Sequence, residues 1–250
     1  MPTRSRISST SWKRRKKRNK LPGSALMEKM IKVDFHVHSI ASKDSLSKGE
    51  KLLARAKELG LGKLILTDHN TIAGAVELQK RYPDFVIVGE EILTTKGEIL
   101  AVFVKEELPK GIEPLEAFRR LRDQGAFISL SHPYAYMRHG WTEDEMEEYL
   151  PWLDAVEIAN ARNLPEMNRS AARFAADHGL CGTAGSDAHG VPELGAMGLE
   201  LPDFRTADEL REAVRSAKVF GKESPLGVRF YSRGAVLLKT LDRKLHIRLY

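Results

Sequence analysis

From residue 31 onward, short apolar segments alternate with segments of helical periodicity. Apolar runs of this length are typical of buried strands, and the longer periodic segments are typical of helices packed against them. The predicted strands are Ile31–Val37, Lys63–Thr67, Phe85–Gly89, Ile99–Val104, Ala126–Leu130, Ala155–Ile158 and Leu180–Gly185. The predicted helices are Ser47–Gly60, Ile72–Arg81, Pro114–Gln124, Glu143–Leu150, Pro165–His178 and a last one from Thr206 to about Lys218. This alternation indicates an α/β fold whose parallel sheet is either closed into a barrel or open and doubly wound.

Local signals refine this pattern. Ser47 with Glu50, and Thr206 with Glu209, have the spacing of capping boxes and predict two helix starts. The sequence Thr-Thr-Lys-Gly at 94–97 predicts a hairpin turn between the third and fourth strands. No glycine-rich phosphate loop of the dinucleotide or Walker type follows any predicted strand.

The charge of the chain is concentrated at its two ends. Residues 1–20 hold nine lysines or arginines and no acid, and residues 218–250 hold eight against two acids. The total of +6 therefore leaves residues 21–217 with a net charge of −9. Residues 1–26 have no apolar period, so we predict a basic disordered tail. The acidic middle suits a protein that collects cations, and the basic ends are candidates for weak contact with RNA or anionic lipid.

Residues 221–250 form a predicted basic amphipathic extension after a domain over 31–220. Leucines recur every fourth residue, at Leu237, Leu241, Leu245 and Leu249. Such a helix would dock on the domain, meet a partner or lie on a membrane surface. The single cysteine, Cys181, excludes an internal disulfide and fits a reducing compartment. With no apolar run of membrane-spanning length and no signal-peptide core, we expect a cytoplasmic protein without a transmembrane segment.

Residues with metal-binding chemistry stand where the predicted strands end. Five of the eight histidines lie at four such ends: His36 and His38, His69, His132, and His189. Carboxylates accompany them at Asp44, Asp68, Glu91, Glu98, Glu157 and Asp187. In a barrel of parallel strands these ends open on one face, so we predict that the side chains converge.

This set of ligands favours a metal cluster. Imidazole and carboxylate groups suit zinc, manganese and iron. There are too many of them for one tetrahedral zinc ion, so we predict two or three ions. Such clusters generate hydroxide at neutral pH and bind both the attacking and the leaving oxygen.

Five segments, DFHVHS, TDHN, GEEI, SHP and GSDAH in that order, resemble the motifs of the PHP family, named for polymerase and histidinol phosphatase domains. The resemblance implies a distorted (βα)7 TIM-like barrel with a metal-dependent phosphoesterase site at the C-terminal ends of its strands. It implies one ion on His36, His38, Glu91 and Asp187, and another on Asp44, His69 and His189. A third ion would lie between Glu91 and His132, with Glu98 where the family often has a histidine. Glu91 is chosen over Glu90 because it matches the family's glycine–x–glutamate spacing.

The resemblance also assigns residues to the substrate. Asn160 and Arg162 resemble a family segment near the phosphate, and the planar fork of arginine matches phosphate oxygens. We therefore predict that both bind substrate and that Arg162 is also catalytic. His139, in the loop after His132, is predicted to act near the leaving group. Asp68 and Glu157 are either ligands or groups that orient ligands.

The favoured function is hydrolysis of phosphate esters, of nucleotides or short oligonucleotides, by metal-activated hydroxide. Histidinol phosphate is an alternative substrate. A metal hydrolase of the amidohydrolase type also uses a His-x-His strand, but those enzymes commonly end on a lone aspartate, whereas Asp187 is followed by His189. A third alternative is a barrel without catalysis that binds nucleic acid or membrane through its basic ends.

Overall fold

The computed structural model describes residues 29–245. The predicted tail over residues 1–26, and Leu249 of the leucine pattern, lie outside the described residues.

Within this part of the chain, nine strands form a single sheet and seven α-helices surround it. The strands are β1 (Met30–Asp34), β2 (Leu61–Leu66), β3 (Val86–Leu93), β4 (Glu98–Val102), β5 (Phe127–Leu130), β6 (Ala155–Asn160), β7 (Cys181–Gly185), β8 (Met197–Pro202) and β9 (Lys218–Gly221). The helices are α1 (Gly49–Glu58), α2 (Ala73–Gln79), α3 (Pro114–Gln124), α4 (Glu143–Tyr149), α5 (Pro165–Asp177), α6 (Ala207–Ala213) and α7 (Arg229–Leu245). The strand order is β7-β6-β5-β4-β3-β2-β1-β8-β9.

The sheet curls until β7 meets β1, which gives a nearly closed barrel. The backbone N–H of Phe35 donates to the carbonyl of Ala184 at 3.3 Å, and that of His38 donates to Ala188 at 2.9 Å. Gly185 permits this approach, because a Cβ there would lie 2.4 Å from the Cβ of His36. The predicted α/β barrel is therefore confirmed, and the open doubly wound sheet is not formed.

Strand β4 is the one member of the β1–β7 barrel that runs against its neighbours. It pairs antiparallel with both β3 and β5, while the other neighbouring pairs of the barrel are parallel. The predicted hairpin turn is confirmed: the hydroxyl of Thr94 donates to the carbonyl of Gly97 at 2.6 Å. Because β4 starts where the parallel strands end, its first residue, Glu98, lies at the same end of the barrel as their C-termini.

Alternation along the strands separates two apolar cores. Val33, Ile65 and Ile87 belong to one core together with residues of α6. Leu64 and Val88, one residue away along β2 and β3, belong to the other core together with residues of α1, α2 and α3. The buried apolar core inside the barrel forms the base beneath the polar end.

Strands β8 and β9 were not predicted. Strand β8 pairs antiparallel with β1, and β9 pairs antiparallel with β8, so the two strands extend the sheet beyond β1. The last predicted helix is correspondingly too long: α6 ends at Ala213, a short 3-10 turn follows, and β9 begins at Lys218.

One of the two predicted caps is wrong. Helix α1 begins after Lys48, whose side chain makes no capping hydrogen bond. The hydroxyl of Ser47 instead donates to the carbonyl of His189 at 3.2 Å, so it serves the functional end of the barrel. At the start of α6, Thr206 accepts from the N–H of Glu209 at 3.2 Å, but the Glu209 carboxylate accepts from the N–H of Arg205, so half of the predicted capping box forms.

Helix α7 forms, and it contacts the barrel through Ala235 and Lys239. Leu237 is 60% exposed and Leu241 is 37% exposed, whereas Ala235 is buried. The Lys239 ammonium donates to the carbonyls of Ile40 and Ser42, at 2.6 and 2.5 Å. Among residues 29–245, none of the helices is both long enough and apolar enough to cross a membrane.

Candidate metal centre

The predicted ligands meet at the C-terminal end of the barrel, around the carboxylate of Glu91. Its Oε2 lies 3.2 Å from Nε2 of His36 and 3.3 Å from Nε2 of His38. The same oxygen is 3.0 Å from Nδ1 of His69, and Oε1 is 3.0 Å from Nε2 of His132. One buried carboxylate thus faces four imidazoles that come from three different strand ends.

Asp187 completes the set of ligands predicted for the first metal ion. Its Oδ1 lies 3.4 Å from Nε2 of His38 and 3.8 Å from Nε2 of His36. Among the described residues, Nε2 of both histidines and Oε2 of Glu91 are buried without a hydrogen-bond partner. Leaving such atoms unsatisfied in a folded interior is costly. Nitrogen and oxygen donors that face one point are suitable ligands for a divalent metal ion, so the chemistry of these four residues fits such an ion.

The other predicted ligands lie directly beside this set. Asp44 Oδ2 is 3.4 Å from Nε2 of His69 and 3.3 Å from Nε2 of His189. Glu98 Oε2 is 3.3 Å from Nε2 of His132. Ligand atoms fall within 4.8 Å of one another in three overlapping groups: His38 with His69 and His189, His36 with His38 and Glu91, and His69 with Glu91 and Glu98. The groups share members, as expected of a cluster of neighbouring ions.

A layer of polar groups behind the ligands fixes their orientation. Glu157 lies 3.0 Å from Nδ1 of His36, and the Ser42 hydroxyl lies 3.2 Å from Nδ1 of His38. Glu157 also accepts the backbone N–H of His132 at 2.7 Å. A bond at Nδ1 leaves Nε2 free to coordinate, which is the usual arrangement behind metal-binding histidines. Of the two roles left open for Glu157, its position favours orientation.

Asp68 and the unpredicted Asp34 support the loops that carry the ligands. Asp68 accepts the N–H and hydroxyl of Ser39 and the hydroxyl of Ser42, all at 2.6 Å. Asp34 accepts the N–H of Ser186 at 2.9 Å and its hydroxyl at 2.5 Å. Burial raises the pKa of Asp34 to about 6, against the opposing effect of these hydrogen bonds. Both carboxylates are therefore used in holding the backbone.

The backbone is strained at two ligands. Asp187 has φ of +53° and His132 has φ of +22°, in the region that non-glycine residues rarely adopt. Strain of this kind persists only where the surroundings hold it, and it is common at functional sites.

The electrostatics favour the metal-binding protonation state at Glu91 and His38, whereas nearby carboxylates, Glu91 first among them, act against burial and raise the pKa of His36 and His69 well above the usual range, so a metal ion would have to displace their protons. Burial would raise the pKa of Glu91, but His36 and His69 hold it well below its usual range. Burial, His189 and His69 together lower the pKa of His38 to about 3, so its imidazole is neutral at neutral pH. A charged carboxylate and a neutral imidazole are the forms that metal ions bind.

A cavity of about 520 Å³ opens above the ligands. Two of the three predicted substrate residues line it, and the third lies beneath it. Arg162 and His139 line it. The Nη1 of Arg162 lies 2.9 Å from Nδ1 of His189, and its Nε lies 3.2 Å from a carboxylate oxygen of Glu193. His139 is exposed at the rim. Asn160 lies beneath the cavity, donating to Glu157 at 3.1 Å and to Asp187 at 3.2 Å.

Sequence reasoning also missed Arg138 and Ser131, which contact the carboxylates of two ligands. The guanidinium of Arg138 contacts the carboxylate of Asp187 and donates to Asn163 at 3.3 Å. The hydroxyl of Ser131 donates to Oε1 of Glu91 at 2.7 Å. Ser131 had a signal, since it directly precedes His132 in a strand-end motif. Arg138 had only its place beside His139 in the following loop.

Comparison with known proteins gives the family of this chain. A model described as PHP domain matches residues 34–113, and one described as PHP-associated matches residues 165–219. The uncharacterized protein MJ0417 of Methanocaldococcus jannaschii is 35% identical over 188 residues, which span 69% of this chain and 74% of that protein.

Two solved structures share the fold at low sequence identity. A two-domain protein from Bacteroides vulgatus, described as containing a predicted PHP-like metal-dependent phosphoesterase, has a TM-score of 0.65 at 20% identity, covering 83% of this chain and 70% of that one. The lesion-specific endonuclease PfuEndoQ of Pyrococcus furiosus has a TM-score of 0.57 at 15% identity, covering 76% of this chain and 58% of that one. The sequence matches and the ligand set at the barrel end agree, and the chain belongs to the PHP family of metal-dependent phosphoesterases.

Proposed function

We propose that this phosphoesterase hydrolyses nucleotides or short oligonucleotides with two or three divalent ions of manganese, zinc or iron. The observation that carries the proposal is the group of buried, unpartnered donor atoms on His36, His38 and Glu91 beneath a cavity that is lined by other predicted ligands and by arginines. Metal donors beneath and cationic side chains at the wall are the two features that phosphoryl transfer requires.

Each part of the cavity has a distinct chemical task in this proposal. Ions bound by the ligands supply Lewis acidity and lower the pKa of water towards neutrality. Arg138 and Arg162 bind the charged oxygens of the phosphate, for which the guanidinium fork is suited. His139 at the rim donates a proton to the leaving oxygen. Glu157 keeps His36 in the tautomer that presents Nε2.

The substrate class rests on size and on analogy. A cavity of about 520 Å³ lies within the range of sites for small molecules and can take one nucleotide. PfuEndoQ, which shares the fold, is described as an endonuclease, and this supports a nucleic-acid ester. A cytoplasmic location, and contact of the basic ends with RNA or lipid, remain predictions.

The test is hydrolysis by metal-free protein reloaded with Mn²⁺, Fe²⁺ or Zn²⁺ and offered nucleotides, short RNA and histidinol phosphate. Arg162→Ala should keep its metal content but lose about 10²–10³-fold in kcat/KM, because a charge-assisted contact to phosphate is removed. Arg169→Ala is the matched control, since Arg169 is exposed and pairs with Glu166 on α5. Wild-type kcat/KM for Arg162→Ala on every active ester would contradict its role, and no hydrolysis of any ester would contradict the proposed function.

A further inference from the structure

One wall of the cavity is apolar, and the phosphoryl chemistry proposed above gives it no task. Met137, Leu164 and Met167 line the cavity beside the arginines. Met137 is 97% exposed and Leu164 is 42% exposed, although both are large apolar residues. Large apolar side chains that remain exposed at the edge of a concave site mark a surface for an apolar part of a ligand. We call these three residues the apolar shelf.

The shelf is continuous because the two loops that carry it are joined. Met137 follows β5 and Leu164 follows β6, two neighbouring parallel strands. Arg138 donates to Asn163 at 3.3 Å, so the residues next to Met137 and Leu164 are hydrogen-bonded to each other. Met167 belongs to the turn that Leu164 opens, where its N–H donates to the Leu164 carbonyl at 3.0 Å.

The shelf also has a fixed place relative to the reacting phosphate. Arg138 immediately follows Met137 and contacts the carboxylate of Asp187, one of the predicted metal ligands. A phosphate bound between the ligands and Arg138 therefore has the shelf directly beside it. The part of the ester that lies there is its alcohol portion.

We propose that the apolar shelf binds a flat ring carried by the alcohol portion of the ester, as a nucleobase is carried by a nucleotide. This rests on the proposed function and deepens it by assigning the base a site. Thioether sulfurs contact aromatic rings favourably, and the shelf has two methionines, Met137 in the loop after β5 and Met167 in the first turn of α5. A base is apolar on its faces and polar at its edges, which matches an apolar shelf whose margin is formed by Arg138 and Asn163.

The experiment compares adenosine 5′-monophosphate with ribose 5-phosphate, which has the same phosphate and sugar but no base. Both Kd, by calorimetry, and kcat/KM are measured on metal-loaded full-length protein. Wild-type protein should prefer the nucleotide by about tenfold, or about 1.4 kcal/mol. In Met137→Ala/Leu164→Ala the preference should fall to about one, because both exposed contacts are removed. These residues are exposed, so the double variant should fold.

Two further variants distinguish loss of the apolar shelf from a general effect of substitution in these segments. Met137→Leu/Leu164→Met keeps the apolar surface and should keep the preference. Tyr136→Ala removes a residue that is 60% exposed in the same loop but does not line the cavity, and it should also keep the preference. An unchanged preference in the double alanine variant, or equal binding of both ligands by wild type, would overturn the shelf assignment. So would hexyl phosphate binding as tightly as the nucleotide. Tight, shelf-dependent binding without turnover would contradict the proposed function alone.

Discussion

Glu90 and Glu91 are neighbours on β3, both buried, and they face opposite sides of the sheet. Glu90 faces the helix layer, where its carboxylate accepts the backbone N–H of Leu108 at 3.2 Å. Burial raises its pKa to about 8. Glu91 faces the barrel interior, where histidines hold its pKa well below the usual range in spite of equal burial. The difference shows that partners, not burial, decide whether a buried carboxylate here is a charged ligand or a neutral packing group.

The matched pair of variants Glu91→Gln and Glu90→Gln tests this comparison most strongly. Glu91→Gln removes the charge shared by several imidazoles, so kcat/KM should fall by at least about 10³-fold and bound metal should fall with it. Glu90→Gln should retain metal and stay within about threefold of wild-type activity, because its side chain lies on the far face. Elemental analysis and steady-state kinetics are measured on both proteins. Equal losses of metal and of kcat/KM would show that the two faces of β3 do not differ in function.

On the interior face, substitution of Glu157 should weaken metal binding less than substitution of Glu91, because Glu157 acts through the ligand His36. Glu157→Gln should weaken metal affinity by about 10–100-fold while the protein still folds and binds. Titration with Mn²⁺ against a competing chelator measures this. An affinity equal to wild type would mean that Glu157 does not orient His36.

On the outer face, Glu90 should make stability depend on pH. The folded chain holds the Glu90 proton up to about pH 8, whereas the unfolded chain releases it near the ordinary value of 4.5. Between these values the unfolded state binds fewer protons, so stability falls as pH rises. From pH 5 to pH 8, metal-free wild type should lose about 3 kcal/mol more unfolding free energy than Glu90→Gln. Urea unfolding at both pH values tests this, and parallel losses in the two proteins would contradict it.

The smallest effect should come from Lys239 of α7, which acts on the ligands through the loop after β1. Lys239 binds the carbonyl of Ser42, and the Ser42 hydroxyl contacts His38 and the backbone N–H of His69. Lys239→Met should therefore weaken Mn²⁺ binding by about fivefold. Lys244→Met, on the exposed side of the same helix, is the control. Calorimetric titration that cannot tell the two variants apart would show that Lys239 plays no part in positioning the ligands.

The sequence predicted the features that follow from chain order and alternation. All seven predicted strands form, and the family motifs after them bring the histidines together because parallel strands end on one side. Glu98 also arrives there, since the turn over 94–97 reverses β4. The sequence could not show which partner a side chain would choose across the barrel. Ser47 has the spacing of a helix cap but bonds to His189. Arg138 contacts Asp187 from 49 residues away, which no local pattern reveals.

The leucine pattern predicted the helix α7 but not the side by which it contacts the barrel. Periodicity shows that a helix has an apolar side, but not what covers that side. Here Leu237 remains exposed, and Lys239, a charged residue of the same helix, makes the contact with the barrel. The carbonyls of Ile40 and Ser42, in the loop after β1, accept two hydrogen bonds from the ammonium, and this contact depends on the folded positions of both segments.

The central claim is that the barrel end holds a metal cluster, and metal stoichiometry tests it most directly. Chelated protein is reloaded with Mn²⁺, Fe²⁺ or Zn²⁺, freed of unbound metal, and analysed beside His36→Ala. We predict more than about one equivalent of metal per wild-type chain and a clear loss in His36→Ala, because that variant lacks a ligand nitrogen. Less than about 0.2 equivalents in wild type, or full metal content in His36→Ala, would contradict the account.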